Sequence, residues 1–457
     1  MAKDLDILLI FSPPSAYLPR DSWGDHLLGM SPPIGAMYLA GYLLSQGYTV
    51  EILDGALMAL RGHSLKQAIS ERNPRLVGLS SVTVNAHNTS RVAEFVRAIH
   101  PEAKIVAGGP HPSFCYESLL ATGHVDVVAL YEGELTLAEL AAHFLGTPGG
   151  DARRCDLADV AGIAFRHQGE IILTDSRPLI ADLDQLPLPA RHLIPLDDYR
   201  MPGIVLTGRG CPFNCIFCAA APLSGRRYRK HSVDRVIEEV RVCVEAHGLR
   251  KLFFADDCFT ADKRRVSEIC RRLEAFDQPL HWVCEGRVDT VTPELLADMH
   301  AAGCTAIQYG VESGSQAILD HVRKGINIEQ IRNAVQWTVD LGMRAECSLQ
   351  FGHPEDTVET VGETLQFARD LRAMSTYAGQ VKTDFAITTP LPGTYLRDHA
   401  EELGIEILTS DWDRYTFIEP VINTRHLTAE QLSRCVVGQM MDRIGDQKLL
   451  EGLGCGI

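Results

Sequence analysis

Three cysteines on one short segment are the residues whose types and spacing most clearly predict chemistry. Cys211, Cys215 and Cys218 stand in the run Gly-Arg-Gly-Cys-Pro-Phe-Asn-Cys-Ile-Phe-Cys. Thiolates at this spacing on a single loop can bind a common metal centre, and soft sulfur ligands favour zinc or an iron–sulfur cluster. Random placement of 13 cysteines in 457 residues would produce on the order of 0.01 such matches, so the spacing is specific.

Other uses of these thiols fit the sequence less well. A structural zinc site needs a fourth ligand, and the nearest candidate, His231, stands without a partner at zinc-finger spacing. A thiol redox pair at Cys215 and Cys218 would leave Cys211 without a task. An electron-transfer cluster would need a fourth cysteine near by, and none follows until Cys243. Three ligands without a fourth predict a cluster with one open iron, which is typical of catalysis.

The composition limits the classes of protein and partner. A net charge of −16 argues against nucleic acid as a partner, because such binding needs clustered Lys and Arg. The one basic run, Arg226 to Lys230, is interpreted as a solvated loop; the alternative is that it faces a phosphate-bearing or carboxylate-bearing cofactor. Neither a signal pattern nor an apolar run of spanning length occurs, so we expect a cytoplasmic enzyme with no membrane span.

The elements that must position the cysteines read as two α/β regions. Residues 1–150 are predicted to form a doubly wound parallel sheet, with strands at 6–11, 49–54, 76–80, 104–108 and 125–130 and a helix at 34–46. Residues 151–200 are predicted to be a connector, with a hairpin that turns at Gln168-Gly169 and then a Pro-rich stretch.

From residue 201 to residue 394 the alternation of strands and helices resumes. Strands are expected at 203–207, 251–255, 281–285, 306–310, 344–351 and 383–388, and helices at 233–247, 263–274, 293–302 and 328–341. Six such units predict a partial (β/α)6 barrel of the TIM type, whose active sites lie at the carboxyl ends of the strands. The cysteines directly follow the first of these strands. Residues 395–457 are expected to be a helical extension.

The cysteine segment resembles the signature of the radical S-adenosylmethionine (SAM) superfamily, including the aromatic Phe217 before the last cysteine. This resemblance implies that Cys211, Cys215 and Cys218 hold a four-iron, four-sulfur cluster whose open iron is chelated by SAM. It also implies that one-electron reduction, by an external donor of the flavodoxin or ferredoxin type, yields a 5′-deoxyadenosyl radical.

The ends of the later strands are similar to further motifs of the same family. Phe-Ala-Asp-Asp-Cys-Phe-Thr resembles the second-strand motif, which implies that Asp256 and Asp257 lie near the methionine amine. Arg287 resembles the third-strand arginine, and Glu312-Ser313 belongs to a stretch similar to the fourth-strand motif that approaches the ribose. Together with Phe217 these are the SAM-binding residues that the resemblance implies.

The first region resembles the cobalamin-binding domain that precedes the radical module in one subgroup of this family. The residues implied to bind cobalamin follow the third, fourth and fifth strands: Ser80, Ser81, Thr83, Gly108, Gly109, Pro110, Glu132, Gly133 and Glu134. Small residues there would allow close backbone approach to a corrin. Asp25-His26 departs from the Asp-x-His-x-x-Gly pattern of cobalt-ligating histidines, so His26 is interpreted as a loop residue.

The resemblance implies a cobalamin-dependent methyltransferase acting on an unactivated carbon or phosphorus of a small molecule. The alternative is a cyclase, oxidase or rearrangement enzyme that transfers no methyl group. Methylthiotransferases carry a second cysteine triad, and only Cys115 and Cys155 precede Cys211 here, so that activity is set aside. A non-catalytic carrier would leave Asp256, Arg287 and Glu312 without a purpose.

Overall fold

The computed structural model describes residues 3–14, 31–148 and 156–440. The chain divides into two compact units, Met1–Ile204 and Val205–Ile457. Each unit is built on its own sheet with helices beside it, which confirms the predicted α/β class with a doubly wound first sheet and a partial barrel.

A seven-stranded sheet organises the first unit, in the order β2-β1-β3-β4-β5-β6-β7. Its strands are β1 Lys3–Phe11, β2 Val50–Asp54, β3 Arg72–Ser80, β4 Lys104–Gly108, β5 Val127–Ala129, β6 Ile163–His167 and β7 Glu170–Leu173. The pairs among β1 to β5 are parallel. Continuous apolar strands form because both faces of such a sheet are covered, and Leu8, Ile10 and Val77 are fully buried.

The helices of the first unit are α1 Ile34–Ser45, α2 Gly55–Leu60, α3 Leu65–Ser70, α4 Ala86–Ile99, α5 Pro110–Ala121 and α6 Glu134–Leu145. Side-chain caps mark two of their starts, Asp54 for α2 and Ser64 for α3. Because the connections between parallel strands pass through these helices, the loops that follow the strands meet at one edge of the sheet.

The hairpin of residues 163–173 belongs to the sheet rather than to a connector. Gln168 and Gly169 turn it with positive φ angles of 51° and 91°, as a two-residue hairpin turn requires. The strand β6 pairs antiparallel with β5, Val127 standing opposite Phe165. The sequence predicted the hairpin but not its pairing with β5. That strand is only three residues long, and an open sheet edge produces no pattern in the sequence.

A six-stranded sheet organises the second unit, in the order β15-β14-β13-β12-β11-β8. Its strands are β8 Gly203–Val205, β11 Lys251–Phe254, β12 His281–Gly286, β13 Cys304–Glu312, β14 Arg344–Phe351 and β15 Val381–Ile387. Two small antiparallel pairs join β9 Gly208–Arg209 to β10 Arg229–Lys230 and β16 Glu406–Ile407 to β17 Ile422–Asn423. Among the described residues β15 and β8 remain the two edges, so the barrel is open.

The helices of the second unit are α7 Ala220–Ser224, α8 Val233–Arg241, α9 Lys263–Leu273, α10 Pro293–Ala301, α11 Gln316–His321, α12 Ile328–Asp340, α13 Val358–Ala373, α14 Tyr395–Asp398 and α15 Ala429–Met440. A core rich in aromatic rings lies between helices and sheet, and Phe254, Phe259 and Trp282 contact one another there. The helix predicted at 233–247 changes to a π-helical turn over Val242–Ala246.

Two glycines of the first unit, one in the hairpin turn and one in α1, should change stability in opposite directions when replaced by alanine. Gly169→Ala should lower the free energy of unfolding of the first unit by about 1 kcal/mol, because alanine is disfavoured at positive φ. Gly35→Ala, in the first turn of α1 with nothing within 4 Å of the added Cβ, should raise it by about 0.5 kcal/mol. Urea unfolding of both variants measures this, and equal signs would contradict it.

Candidate functional site

The loop between β9 and α7 carries all three cysteines of the predicted cluster. Cys211, Cys215 and Cys218 are free thiols and half-buried. Burial raises the pKa of Cys211 to about 11 and that of Cys218 to about 12, because the surroundings disfavour a thiolate. Bare thiolates would therefore be unstable at this loop, and a bound cationic metal centre would compensate for their charge.

The spacing of the three thiols in the structure bears on how they could hold a metal. Among the described residues, no metal-type group that includes these cysteines brings three ligand atoms within 4.8 Å of one another. A tetrahedral zinc ion with Zn–S bonds of about 2.3 Å would hold its sulfurs about 3.8 Å apart. The three thiols, as the structure places them, are therefore not gathered around one point as closely as a single zinc ion requires.

Arg287 connects the end of β12 to the cysteine loop. Its guanidinium lies 3.5 Å from the centre of the Phe213 ring, and Nη1 lies 3.9 Å from Sγ of Cys215. Asp289 accepts two hydrogen bonds from it, and the Lys324 carbonyl accepts a third at 2.7 Å. The arginine is thus held rigidly with its charge toward a thiol, where it would stabilise an anionic cluster.

Asp256, at the end of β11, is buried beneath the cysteine loop. Its carboxylate accepts hydrogen bonds from the backbone N–H and the hydroxyl of Thr207, both at 2.6 Å, and one from Tyr228 at 3.3 Å. Burial raises its pKa to about 6 despite the opposing bonds from Thr207. Both oxygens of Asp256 are engaged by the chain, so its observed contacts position the loop.

Asp257 and Cys258 approach the loop from the same strand end. Asp257 accepts a hydrogen bond from the backbone N–H of Gly210 at 3.1 Å, next to Cys211. Cys258 is fully buried and places Sγ 4.0 Å from Oγ1 of Thr260. Cys258 could not be identified from the cysteine spacing, because it lies forty residues beyond the triad.

Glu312 ends β13 in an unusual backbone conformation, and Ser313 follows it. Glu312 has a φ of 68°, beside a register irregularity in the pairing of β13 with β14. Lys324 donates to one carboxylate oxygen at 2.6 Å and Gln350 donates to the other at 2.7 Å. The Ser313 hydroxyl pairs with that of Thr364 at 3.0 Å. Such strained positions are typical of functional sites.

Phe217 lies against a histidine that the sequence analysis did not name as a site residue. The ring centres of Phe217 and His353 are 5.4 Å apart. Burial lowers the pKa of His353 to about 4, so the imidazole is neutral near pH 7. Its Nδ1 pairs with Thr388 at 3.1 Å, while buried Nε2 has no hydrogen-bond partner within the described chain. An orphaned polar atom beside Phe217 fits a site that binds a polar ligand.

Glu285 on β12 is a second group that sequence reasoning missed. Burial, and after it the neighbouring carboxylates of Asp257 and Asp256, raises its pKa to about 7. It forms neither a hydrogen bond nor an ion pair with the residues that the structure describes. Its only signal in the sequence is its position two residues before Arg287, on the same face of the strand.

In the first unit the loops after the strands are tied together by Asn85. Its Oδ1 accepts from the hydroxyl of Ser81 at 3.0 Å and from the backbone N–H of Val82 at 2.8 Å. Its Nδ2 donates to the carbonyl of Ser12, beyond β1, at 2.8 Å. Ser81 is therefore fully buried and structural, whereas Ser80 is half-buried at the end of β3.

Close packing against the backbone of a neighbouring loop accounts for one of the two glycines after β4. Gly109 has a φ of 105°, and a Cβ there would lie 2.6 Å from the carbonyl oxygen of Ser81. A Cβ at Gly108 would lie 3.4 Å from the carbonyl oxygen of Ala129, which is an ordinary contact. Pro110 begins α5 directly after them. Packing between neighbouring loops thus explains Gly109 without a ligand.

The loop after β5 contributes acidic residues and an exposed ring. Glu132 accepts a hydrogen bond from the backbone N–H of Ile180 at 2.7 Å, and Glu134 is buried in the first turn of α6. A Cβ at Gly133 would lie 3.0 Å from Leu39. Tyr131, with a φ of 60°, keeps 39% of its surface exposed.

The same edge offers atoms that fit a large polar cofactor. Thr83 shares a contact of 3.3 Å with His111, and the hydroxyl of Ser12 is fully buried with no partner in the described ranges. The structure thus gathers the predicted cobalamin residues at one edge of the sheet, where such folds bind ligands. Asp25 and His26 lie outside the described residues.

The raised pKa of Glu285 predicts a pH-dependent stability. The folded protein holds this proton more tightly than the unfolded chain, so stability falls as pH rises from about 4.3 to the folded pKa near 7. Glu285→Gln removes the penalty and should stabilise the protein by about 2 kcal/mol at pH 8, with little effect at pH 4.5.

Chemical unfolding at both pH values measures this difference. Glu346→Gln, on strand β14 of the same sheet, is the matched control, since its carboxylate lies 4.0 Å from Arg344. Equal effects of Glu285→Gln at the two pH values would contradict the prediction.

Comparison with known families assigns both units. The family model described as the B12 binding domain matches residues 24–141, and that described as the radical SAM superfamily matches residues 205–368. Within the described ranges, the helices are all too short or too polar to traverse a bilayer.

Relatives match nearly the whole chain. An uncharacterized methyltransferase from Pyrococcus horikoshii is 33% identical over 438 residues, which cover 94% of this chain and 91% of the relative. The anaerobic magnesium-protoporphyrin IX monomethyl ester cyclase of Rubrivivax gelatinosus is 28% identical over 93% of this chain and 74% of its own.

A solved structure shares the fold. The radical SAM methyltransferase TsrM from Kitasatospora setae, solved with cobalamin and an iron–sulfur cluster, has a TM-score of 0.71 at 20% identity, covering 90% of this chain and 78% of its own. The two family models and the relative that is 33% identical over most of the chain show the family as well as the fold. The chain belongs to the cobalamin-dependent radical SAM enzymes, whose cofactors are a four-iron, four-sulfur cluster, SAM and cobalamin.

Proposed function

We propose that this enzyme is a methyltransferase that acts on an unactivated carbon or phosphorus atom of a small molecule. The observation that carries the proposal is the triad of half-buried thiols on one loop, in a chain that also contains a B12 binding domain. When bound, the cluster supplies the electron that cleaves SAM, and cobalamin supplies the methyl group. The relative from Pyrococcus horikoshii, which matches most of the chain, is named a methyltransferase.

In this proposal the chain's own residues hold and orient the cofactors. Cys211, Cys215 and Cys218 ligate the cluster, and Arg287 balances its negative charge. Asp257, whose carboxylate has one engaged oxygen, lies beside the loop for contact with the SAM amine. Asp256, with both oxygens engaged, supports that loop from beneath.

The remaining residues proposed to bind SAM lie at the carboxyl end of β13 and on the cysteine loop. Glu312 is pre-oriented by Lys324 and Gln350, which fixes its carboxylate before a ribose arrives. Ser313 holds the turn through Thr364, and Phe217 presents an aromatic face beside His353. The cobalamin residues of the first unit divide into those open to a ligand, such as Ser80, and those that brace the loops, such as Ser81.

The cysteine triad can be separated from the neighbouring thiol by mutation. Cys211→Ala should abolish the four-iron cluster, whereas Cys258→Ala should retain about four iron atoms per chain, because Cys258 lies on another segment and contacts Thr260. Iron analysis and the visible absorbance of anaerobically reconstituted protein measure this. Loss of iron in the Cys258 variant would show that it is a ligand and would remove the open iron on which SAM cleavage depends.

Methyl transfer has a stoichiometric signature. Incubation of the reduced enzyme with methyl-labelled SAM and candidate small molecules should yield S-adenosylhomocysteine, 5′-deoxyadenosine and a labelled product in equal amounts. The cyclase relative, at 28% identity, supports a second candidate, a radical cyclisation or oxidation without methyl transfer. Deoxyadenosine without S-adenosylhomocysteine would favour that candidate over methyl transfer.

A further inference from the structure

A basic segment, residues 226–230, lies directly beside the start of the cysteine loop. Arg229 and Lys230 of β10 pair antiparallel with Arg209 and Gly208 of β9. Directly after β9, a Cβ added at Gly210 would lie 2.3 Å from the carbonyl oxygen of Arg227. The backbone of the basic segment therefore touches the residue that precedes the first cluster cysteine.

The turn at the tip of this segment displays two arginines to solvent. Gly225 and Arg226 both have left-handed φ angles, 62° and 57°, so the chain reverses sharply after α7. Arg226 and Arg227 are exposed, and neither side chain forms a hydrogen bond or ion pair with a described residue. Within the part of the chain that the structure describes, neither arginine takes part in internal pairing.

The other basic side chains of β9 and β10 are already engaged. Lys230 pairs with Asp262 at 2.6 Å, and the side chains of Arg209 and Arg229 have interactions within the chain. Among the basic side chains of residues 208–230, those without a counter-ion in the described part of the chain are thus Arg226 and Arg227. In the sequence the run read most simply as a solvated loop, and the structure adds that this loop borders the cysteines.

This placement is informative because the chain as a whole is acidic. A net charge of −16 repels an acidic protein from most of the surface. Two exposed arginines attract it at one place, over a distance of about 8 Å at physiological ionic strength. An acidic partner would therefore be oriented toward the cysteine loop and not merely attracted to the chain.

We propose that Arg226 and Arg227 form the docking surface for an acidic one-electron carrier protein of the flavodoxin or ferredoxin class. The inference rests on the proposed function, since it requires a cluster on Cys211, Cys215 and Cys218. In the step the carrier loses one electron and the cluster gains one, with no bond made or broken and no proton transferred. The contact of the Arg227 carbonyl with Gly210 gives a short route from this surface to Cys211.

Charge reversal tests the surface without touching the proposed ligands. The double variant Arg226→Glu/Arg227→Glu changes the exposed charge beside the loop. The matched control, Arg241→Glu/Arg271→Glu, makes the same charge change on α8 and α9, where the two side chains are 54% and 68% exposed. The neutral variant Arg226→Gln/Arg227→Gln gives an intermediate charge in case the reversal perturbs folding.

Two readouts are taken on the cluster-loaded, anaerobic enzyme. The first is the dissociation constant for oxidised flavodoxin and for oxidised ferredoxin, between about 0.02 M and 0.5 M salt. The second is the rate at which reduced carrier bleaches the cluster absorbance, compared with the rate in dithionite. Dithionite is a small reductant that needs no protein docking surface, so it reports the cluster itself.

The reversal should weaken carrier binding about tenfold at low salt and slow carrier-driven reduction by a similar factor. The difference from wild type should shrink at high salt, the glutamine variant should fall between, and the control and all dithionite rates should stay unchanged. Unchanged carrier binding in the reversal variant would overturn the proposal, as would wild-type enzyme that binds neither carrier or prefers an RNA oligonucleotide.

Failure of this inference is distinguishable from failure of the proposed function. If dithionite reduces the cluster and supports SAM cleavage while the reversal variant accepts electrons from the carrier normally, only the docking surface is wrong. If the wild-type protein assembles no cluster at all, the proposed function fails, and the docking surface with it.

Discussion

The position of the cysteine loop depends on one buried carboxylate, Asp256. In a medium from which water is excluded a carboxylate must be hydrogen-bonded, and the partners nearest to it are the backbone and hydroxyl of Thr207. Arg265 of α9 bonds the same threonine at its carbonyl, 2.7 Å away, and at its hydroxyl, 3.0 Å away. The end of β8 is therefore clamped from both sides, and the cysteine loop begins three residues later from a fixed position.

Charge is distributed around that loop in a regular way. Cations that are themselves fixed by carboxylates, Arg287 by Asp289 and Lys324 by Glu312, lie on the side of Cys215. Carboxylates lie on the side of Cys211, where Asp257 holds Gly210 and Glu285 has no counter-ion among the described residues. Charges of opposite sign thus lie on the two sides of the loop, and in the proposed function they would balance an anionic cluster and a cationic sulfonium.

The sequence predicted most of the fold because parallel strands buried on both faces must be continuously apolar, and β1, β4 and β14 appear where that pattern stands. It also predicted the cysteine loop, because three soft ligands at close spacing have few other uses. It did not predict Asn85, Cys258, Glu285 or His353. Each is one residue whose importance comes from contacts between distant segments, and a single sequence records no such contact. The left-handed conformation of Glu312 could not be predicted either, because a glutamate gives no indication in the sequence that its φ is positive.

The hairpin β6–β7 has a consequence for how the first unit can be isolated. Its strand β6 covers the hydrogen-bonding edge of β5, a strand of three buried residues. A fragment cut near residue 150, where the predicted region ends, would leave that edge bare, and bare apolar edges recruit other chains. Dissection of this protein for cobalamin-binding studies should therefore retain the chain beyond Leu173, so that the sheet ends on the half-exposed strand β7 and not on its own core.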